Sequence, residues 1–272
     1  MPELPEVETY VRALRRPLIG RTILGARVYW PGTIAQPAPA AFRRQVVGRR
    51  IRAVNRRAKY VVVELAAADS GQPSFLLIHL KMTGQLAVAP RERPIDKHDR
   101  VIFDLSGGRQ LRFNDARKFG RIHLVSRPEA VTHRLGPEPL SDEFSLDAFR
   151  ERIAGRSGRL KSLLLDQTFV AGIGNIYADE ALWLALLHPL RRAGGLTEAE
   201  RRALYRAIRT ALRDGIRRSG ATFDWAYPTG DYRFRVYDRQ GQPCRRCRRP
   251  IRRIVVGQRG THFCAHCQTV RD

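Results

Sequence analysis

The chain has no apolar run approaching the ~20 residues that a membrane-spanning helix requires, which excludes a helical membrane span. No apolar stretch follows its first residues, so no secretory leader is read there and a cytoplasmic setting is expected. Cysteine is missing until position 244. All four cysteines fall in the last 29 residues, which rules out a disulfide framework for most of the chain. Acidic residues are scarce: 26 Asp and Glu stand against 50 Lys and Arg, a formal net charge of +24. That excess goes beyond what solubility needs and points to a polyanionic partner, since each phosphate contact releases counterions. Acidic lipid is the competing partner. Internal repeats and long low-complexity runs are also absent.

What is present is enough to build two cores. The chain has 272 residues, 43% of them hydrophobic, with 22 Gly and 16 Pro. Residues 4–16 predict a helix, with Val7, Val11 and Leu14 on one face. From about residue 22 to 125 the pattern is mostly strands, among them 61–65, 75–80, 101–105 and 110–113, with Gly107-Gly108 joining the last two. Residues 34–41 read as a loop with a helix start at its end. After Pro128 the composition changes. The expected organisation is a domain over 1–128, a linker over 129–140, a helical domain over 141–235 and a small metal module over 236–272. Helices are predicted near 145–153, 160–165, 175–184 and 197–218, the last opening on the capping box Thr197-Glu198-Ala199-Glu200.

Several constellations carry chemistry. If Met1 is removed, Pro2 presents a free secondary amine. Such an amine is partly uncharged at neutral pH and can attack carbon to form a Schiff base. Glu3 and Glu6 lie within about one helical turn of it. A bland reading is also available, a translation start followed by a helix with proline in its first turn. Cys244-x2-Cys247 and Cys264-x2-Cys267 have the spacing of two zinc knuckles, and four thiolates complete a tetrahedral site; His262 and His266 are the other candidate ligands. Ile254–Val256 and Thr261–Phe263 read as hairpin arms, with Gln258-Arg259-Gly260 as the exposed tip. The surrounding arginines make this hairpin a DNA-facing element. The turn from Phe169 to Asn175, with Gly172 and Gly174, precedes a helix whose free N–H groups suit a phosphate; a plain helix–helix turn capped by Asn175 is the alternative. Lys59, Lys81-Met82-Thr83-Gly84 and Asn114-Asp115-Ala116-Arg117-Lys118-Phe119-Gly120 set basic residues and apolar wedges beside strands. These could fill a gap in a DNA stack, although core packing is the simpler role for Met82 and Phe119 taken singly.

Taken together, MPELPEVET, RRAKY, HLKMTG, KHDR, NDARKFGR, LGPEPL, LLLDQTFVAGIGNIYADEAL and the terminal C-x2-C…RGTHFC-x2-C resemble bacterial formamidopyrimidine-DNA glycosylase, the 8-oxoguanine DNA glycosylase/AP lyase family, along nearly the whole length. The resemblance implies an α+β fold: an N-terminal two-layer β-sandwich with flanking helices, then a helix-two-turn-helix domain and a zinc-finger β-hairpin. It implies a monomer acting on double-stranded DNA with an oxidised base or abasic site, holding one structural zinc ion and no organic cofactor. Pro2 is implied as the nucleophile at C1′, Glu3 as the proton-handling carboxylate and Glu6 as an organiser of the N-terminal site. Lys59 is implied to contact phosphate and assist β-elimination, and Arg259 to clamp phosphate and assist δ-elimination. Met82, Arg117 and Phe119 are implied to enter the duplex, with Arg117 facing the orphaned cytosine. His98 and Asn175 are implied to hold phosphates, and Lys161, Arg156 and Arg159 to add positive charge beside the helix-two-turn-helix element.

Leu4 stands where an endonuclease VIII-like enzyme, the alternative acting on oxidised pyrimidines, usually has glycine. The non-enzymatic alternative is a zinc-containing protein that binds damaged DNA. It has no use for Pro2, Glu3 and Lys59 together. Two departures from the family pattern stand out. The text after the long helix, Ser219-Gly220-Ala221-Thr222-Phe223-Asp224, opens a short segment in which Trp225, Tyr227 and Tyr232 are expected to form a different lid by stacking. Tyr237-Asp238-Arg239 replaces the usual Tyr-Gly-Arg. The short segment predicts ring-opened formamidopyrimidines as better substrates than 8-oxoguanine.

Overall fold

The computed structural model describes residues 1–66, 72–220 and 230–270. The chain divides into two units, one built mainly from Glu6–His133, the other from Glu3–Pro5, Arg134–Ala221 and Asp231–Asp272.

The first unit is a β-sandwich. It contains α1 (Leu4–Leu18, from Glu6 onward), β1 (Ile23–Val28), β2 (Ile34–Gln36), α2 (Pro39–Val46), β3 (Ile51–Arg57), β4 (Tyr60–Leu65), β5 (Ser74–His79), β6 (Gly84–Pro90), β7 (Asp99–Leu105), β8 (Arg109–Asp115), β9 (Arg121–Val125) and α3 (Glu129–Thr132). One sheet has the order β1-β7-β8-β6 and the other β2-β9-β5-β4-β3. Alternate residues supply the core: Val61, Val63 and Leu65 from β4, Leu76 and Ile78 from β5, Val101, Phe103 and Leu105 from β7. Helix α1 adds Val7, Val11, Leu14 and Leu18 at helical spacing, and α2 adds Phe42 and Val46. Residues 34–36, expected as loop, instead form β2, which pairs in parallel with β9. Three residues are too few for a period-two pattern to show, so the neighbouring strand decides their state.

The second unit is helical and ends in a hairpin: α4 (Leu146–Ile153), α5 (Leu160–Leu165), α6 (Asn175–Leu184), α7 (Glu198–Arg217), β10 (Arg252–Val256) and β11 (Arg259–Phe263). Thr197 caps α7 as the sequence predicts: its hydroxyl accepts from Glu200 N at 3.2 Å, and the Glu200 carboxylate accepts from Thr197 N at 2.8 Å. Leu204, Ile208, Ala211 and Leu212 of α7 pack into a core with Phe149, Leu164, Phe169, Tyr177 and Leu4. In the hairpin, Val256 pairs with Arg259 and the tip is Gly257-Gln258, at φ 55° and 60°. The expected tip of Gln258–Gly260 is therefore displaced by one residue. A two-residue turn with both residues left-handed matches strand twist, and it makes Arg259 the first residue of β11.

Candidate active site and nucleic-acid interface

Pro2 and Glu6 are buried at the start of the chain, Glu6 at 4% exposure. Glu3 is 2% exposed, and its carboxylate occupies the N-terminus of α6. Oε2 accepts from Gly174 N at 2.8 Å and Tyr177 N at 3.3 Å; Oε1 accepts from Ile176 N at 2.9 Å. The first N–H groups of a helix have no partner within it, and the helix dipole favours an anion there. The sequence offers these groups either to a phosphate or to a plain turn capped by Asn175. The structure corrects that: the anion is the chain's own Glu3. Two glycines permit the approach. A Cβ on Gly174 would lie 2.4 Å from the Glu3 Cδ, and one on Gly172, at φ 89°, would lie 2.7 Å from Leu4 Cδ1. Leu4 N also donates to Gly172 O at 3.1 Å.

In the sandwich unit, Lys59 sits at the β3–β4 turn. Ala58 takes φ 51° there, and the Lys59 side chain is buried at 6% exposure. His79, paired with Tyr60 across β4 and β5, has its pKa pushed down to about 3 by burial, reinforced by Lys81, Lys59 and His123. Its Nδ1 accepts from Lys81 N at 3.0 Å, so the neutral ring carries its proton on Nε2.

Met82 and Phe119 are 40% and 47% exposed, so they are not core residues. They lie on turns containing Lys81 at φ 55° and Lys118 at φ 61°, an uncommon conformation for non-glycine residues. Asp115, fully buried, ties the two turns together. Its Oδ1 accepts from Thr83 Oγ1 at 2.5 Å and from Arg117 N at 3.2 Å, and its Oδ2 from Gly120 N at 2.7 Å. The Arg117 guanidinium lies 4.7 Å from the Phe119 ring centroid, and Lys118 Nζ lies 4.3 Å from that of Trp30. Arg100 donates to Asp115 O at 2.8 Å and lies 3.1 Å from His98 Nδ1, which joins His98 to the same assembly. A cavity of about 550 Å³ opens beside these turns, lined by Thr83, Gln85, Arg93, His98 and Asn114.

In the helical unit, Asn175 begins α6, and its amide donates to Gly260 O at 2.9 Å, fixing the hairpin beside the helix. Arg259, Arg156 and Arg159 are exposed. Lys161 is not. Its ammonium has no exposure and donates to Asp179 Oδ1 at 2.5 Å and Asn175 O at 2.9 Å. The expectation that it adds positive charge for DNA beside the helix-two-turn-helix element is corrected: a buried ammonium persists only when paired, and this one is spent holding α5 to α6. Asp179 also accepts from His262 N at 2.8 Å, so the same carboxylate anchors β11. Tyr232 is 7% exposed and donates to Glu180 Oε2 at 3.1 Å; Trp225 and Tyr227, with which it is expected to form a stacked lid, lie outside the described residues.

Sequence reasoning missed Asp115, Asp179 and Glu180. Glu180 has no exposure and accepts from Arg235 N at 3.0 Å, Val236 N at 2.9 Å and Tyr237 N at 3.1 Å. The available signal was a pair of acids inside Asn175–Leu184, an otherwise apolar helix.

The four cysteine sulfurs lie within 4.8 Å of one another, with Cys244–Cys267 at 4.0 Å and Cys247–Cys264 at 3.4 Å. Four sulfurs about 2.3 Å from a tetrahedral zinc lie about 3.8 Å apart, so this set fits the ion. Burial raises the thiol pKa of Cys264 and Cys267, whereas at Cys244 burial is outweighed by the N–H donors of Cys247 and Arg246, which bring the value down to about 6. The Arg246 guanidinium lies 3.7 Å from the Trp183 ring centroid and donates to Leu184 O at 3.2 Å, seating the knuckle on the end of α6.

Three family profiles match in succession: "Formamidopyrimidine-DNA glycosylase N-terminal domain" over residues 1–122, "Formamidopyrimidine-DNA glycosylase H2TH domain" over 135–225, and "Zinc finger found in FPG and IleRS" over 241–270. The chain is 47% identical to the formamidopyrimidine-DNA glycosylase of Herpetosiphon aurantiacus, over 98% of this chain and 100% of the relative. It is 46% identical to that of Chloroflexus aurantiacus, over 98% of each. Among solved structures it is similar to wild-type Lactococcus lactis Fpg (MutM) bound to DNA containing N7-benzyl-Fapy-dG. The TM-score is 0.92 at 34% identity, covering 99% of this chain and 100% of the other. It is also similar to MutM in complex with carbocyclic 8-oxo-G DNA, with a TM-score of 0.91 at 34% identity and the same coverage.

Proposed function

The chain belongs to the formamidopyrimidine-DNA glycosylase family, and from that premise we propose how its own residues carry the reaction. It is a bifunctional DNA glycosylase/AP lyase acting on oxidised purines in damaged DNA. Once Met1 is removed, the Pro2 nitrogen attacks C1′ of the damaged nucleotide. The C1′–base bond breaks, and the base leaves with its electron pair and a proton. The C1′–O4′ bond then opens: O4′ takes a proton and the electron pair of the deprotonated Pro2 nitrogen forms the C1′ iminium. The iminium acidifies the C2′–H bond, so loss of that proton expels the 3′ phosphate. A second elimination expels the 5′ phosphate. The product is a one-nucleotide gap with phosphate at both ends. Reaching C1′ requires extruding the nucleotide, at a cost of a few kcal/mol. Met82, Arg117 and Phe119, braced by Asp115, are assigned to the space it leaves, with Arg117 facing the unpaired base.

The observation that carries this reading is the lock on Glu3. Three N–H donors hold its carboxylate directly after the nucleophilic residue. They fix the carboxylate in one orientation, set to relay the proton lost by Pro2 and to face the positive charge developing at C1′. Glu6 supports the same N-terminal segment. Lys59 and Arg259 are assigned to the phosphates expelled in the two eliminations, and His98, Asn175, Arg156 and Arg159 to backbone phosphates. Zinc, when bound to Cys244, Cys247, Cys264 and Cys267, supplies structure to the hairpin that presents Arg259. The enzyme is assigned to work as a monomer in the bacterial cytoplasm.

Ring-opened formamidopyrimidines are proposed as preferred over 8-oxoguanine, because the segment between α7 and Tyr237 is short. The test is cleavage of otherwise identical duplexes carrying each lesion. The expected result is a gap with phosphate at both ends and faster release of the ring-opened base. Base release without strand cleavage refutes the lyase assignment, and faster 8-oxoguanine excision refutes the preference.

A further inference from the structure

Asp238 sits at φ 55°, a conformation glycine adopts freely and other residues rarely. This chain nonetheless places a carboxylate there. The side chain is exposed and makes no hydrogen bond or ion pair with any described residue. It lines an open pocket of about 490 Å³ with Asn175, Tyr237, Gln240, Arg253 and His262, a set rich in N–H and O–H donors. The neighbouring arginine does not neutralise it. Arg239 is committed to Gln242 Oε1 at 3.0 Å, Arg235 O at 2.7 Å and Pro243 O at 2.9 Å. A donor-lined recess on a chain of net charge +24 suits a phosphodiester, and the one anionic group in it opposes that ligand.

We propose that Asp238 is an affinity-limiting residue: its charge weakens the grip of this pocket on the DNA backbone and so speeds release of the cleaved product. This rests on the reading above that Asn175, which lines the pocket, holds backbone phosphate. In a cationic enzyme, tight product binding slows turnover, and a fixed negative charge among the phosphate contacts counters it without changing the chemistry.

The test compares Asp238→Asn and Asp238→Gly, both of which tolerate a left-handed backbone, with wild type. The probe is a duplex carrying a stable tetrahydrofuran abasic analogue. Both variants should bind about three- to tenfold more tightly at low salt, the scale of one unit charge acting across solvent-exposed distances. The gain should fade toward 1 M salt, where screening acts within about 3 Å. On a cleavable lesion duplex, the ratio of multiple- to single-turnover rate should fall. Arg253→Gln separates the two layers of the argument. If it weakens binding while both Asp238 variants bind like wild type or more weakly, the pocket faces DNA and the inference about Asp238 is overturned. If Arg253→Gln changes nothing, the pocket does not hold backbone and both fall. A gain seen only with glycine reports backbone relief, which also overturns the charge argument.

Discussion

Glu3→Gln exchanges one carboxylate oxygen for an amide NH₂ and tests both the architecture and the chemistry of the N-terminal segment. The carboxylate accepts three hydrogen bonds, two on Oε2 and one on Oε1. A glutamine amide offers one acceptor oxygen. In its better orientation it keeps the bonds from Gly174 and Tyr177 and turns its NH₂ toward the Ile176 N–H, leaving two buried donors facing each other. An unsatisfied buried donor costs about 1–3 kcal/mol. The lost charge at the helix N-terminus costs about 0.3–1 kcal/mol more, up to ~2 in partly buried geometry. The expected loss of stability is therefore about 1–4 kcal/mol, read as a lower urea midpoint at unchanged slope. Base excision should fall about 10²–10⁴-fold, the usual worth of a positioned acid–base group. Strand cleavage at a preformed abasic site should fall less, because no base remains to be expelled. A variant that unfolds at the wild-type urea concentration refutes the structural role. One that excises at the wild-type rate refutes the catalytic role.

Lys161→Met should cost about 3–5 kcal/mol, because it strands the Asp179 carboxylate in the interior; adding Asp179→Asn should recover part of that loss in the denaturant midpoint. Zinc removal by a strong chelator should expose the amides of β10 and β11 to hydrogen exchange and weaken DNA binding, and stoichiometric zinc should restore both; unchanged exchange would contradict a structural site. His79 titrates near 3 in the fold against an ordinary 6.5. The unfolded chain therefore binds its proton first, and stability that is full above pH 6.5 is lost as pH falls toward 3, at about 1.4 kcal/mol per unit. His79→Gln should flatten that part of the stability–pH curve.

Much of this was legible in the sequence because the signals were local. The Thr197 box, the Gly107-Gly108 turn and the paired C-x2-C knuckles each declare themselves within a few residues, and the structure realises them as written. The misreadings share one cause, a partner distant in sequence. The N–H groups of α6 looked free because Glu3, which fills them, lies 171 residues from Gly174. Lys161 looked like surface charge because Asp179 belongs to the next helix. The partner of Tyr232 was equally invisible: Glu180, which accepts from its hydroxyl, lies 52 residues away. For Met82 and Phe119, core packing is the simpler role when only residue type is visible; the strained turns that hold them out leave them exposed, as insertion into a duplex requires.

The central claim concerns a single covalent bond, and borohydride reduction during turnover tests it directly. Mature protein incubated with a lesion duplex and reductant should yield a stable protein–DNA adduct whose peptide map places the sugar on the Pro2 nitrogen. An N-terminal extension should abolish it. Excision and strand cleavage that proceed at normal rates without any such adduct, or with the sugar attached to Lys59 instead, would contradict the account.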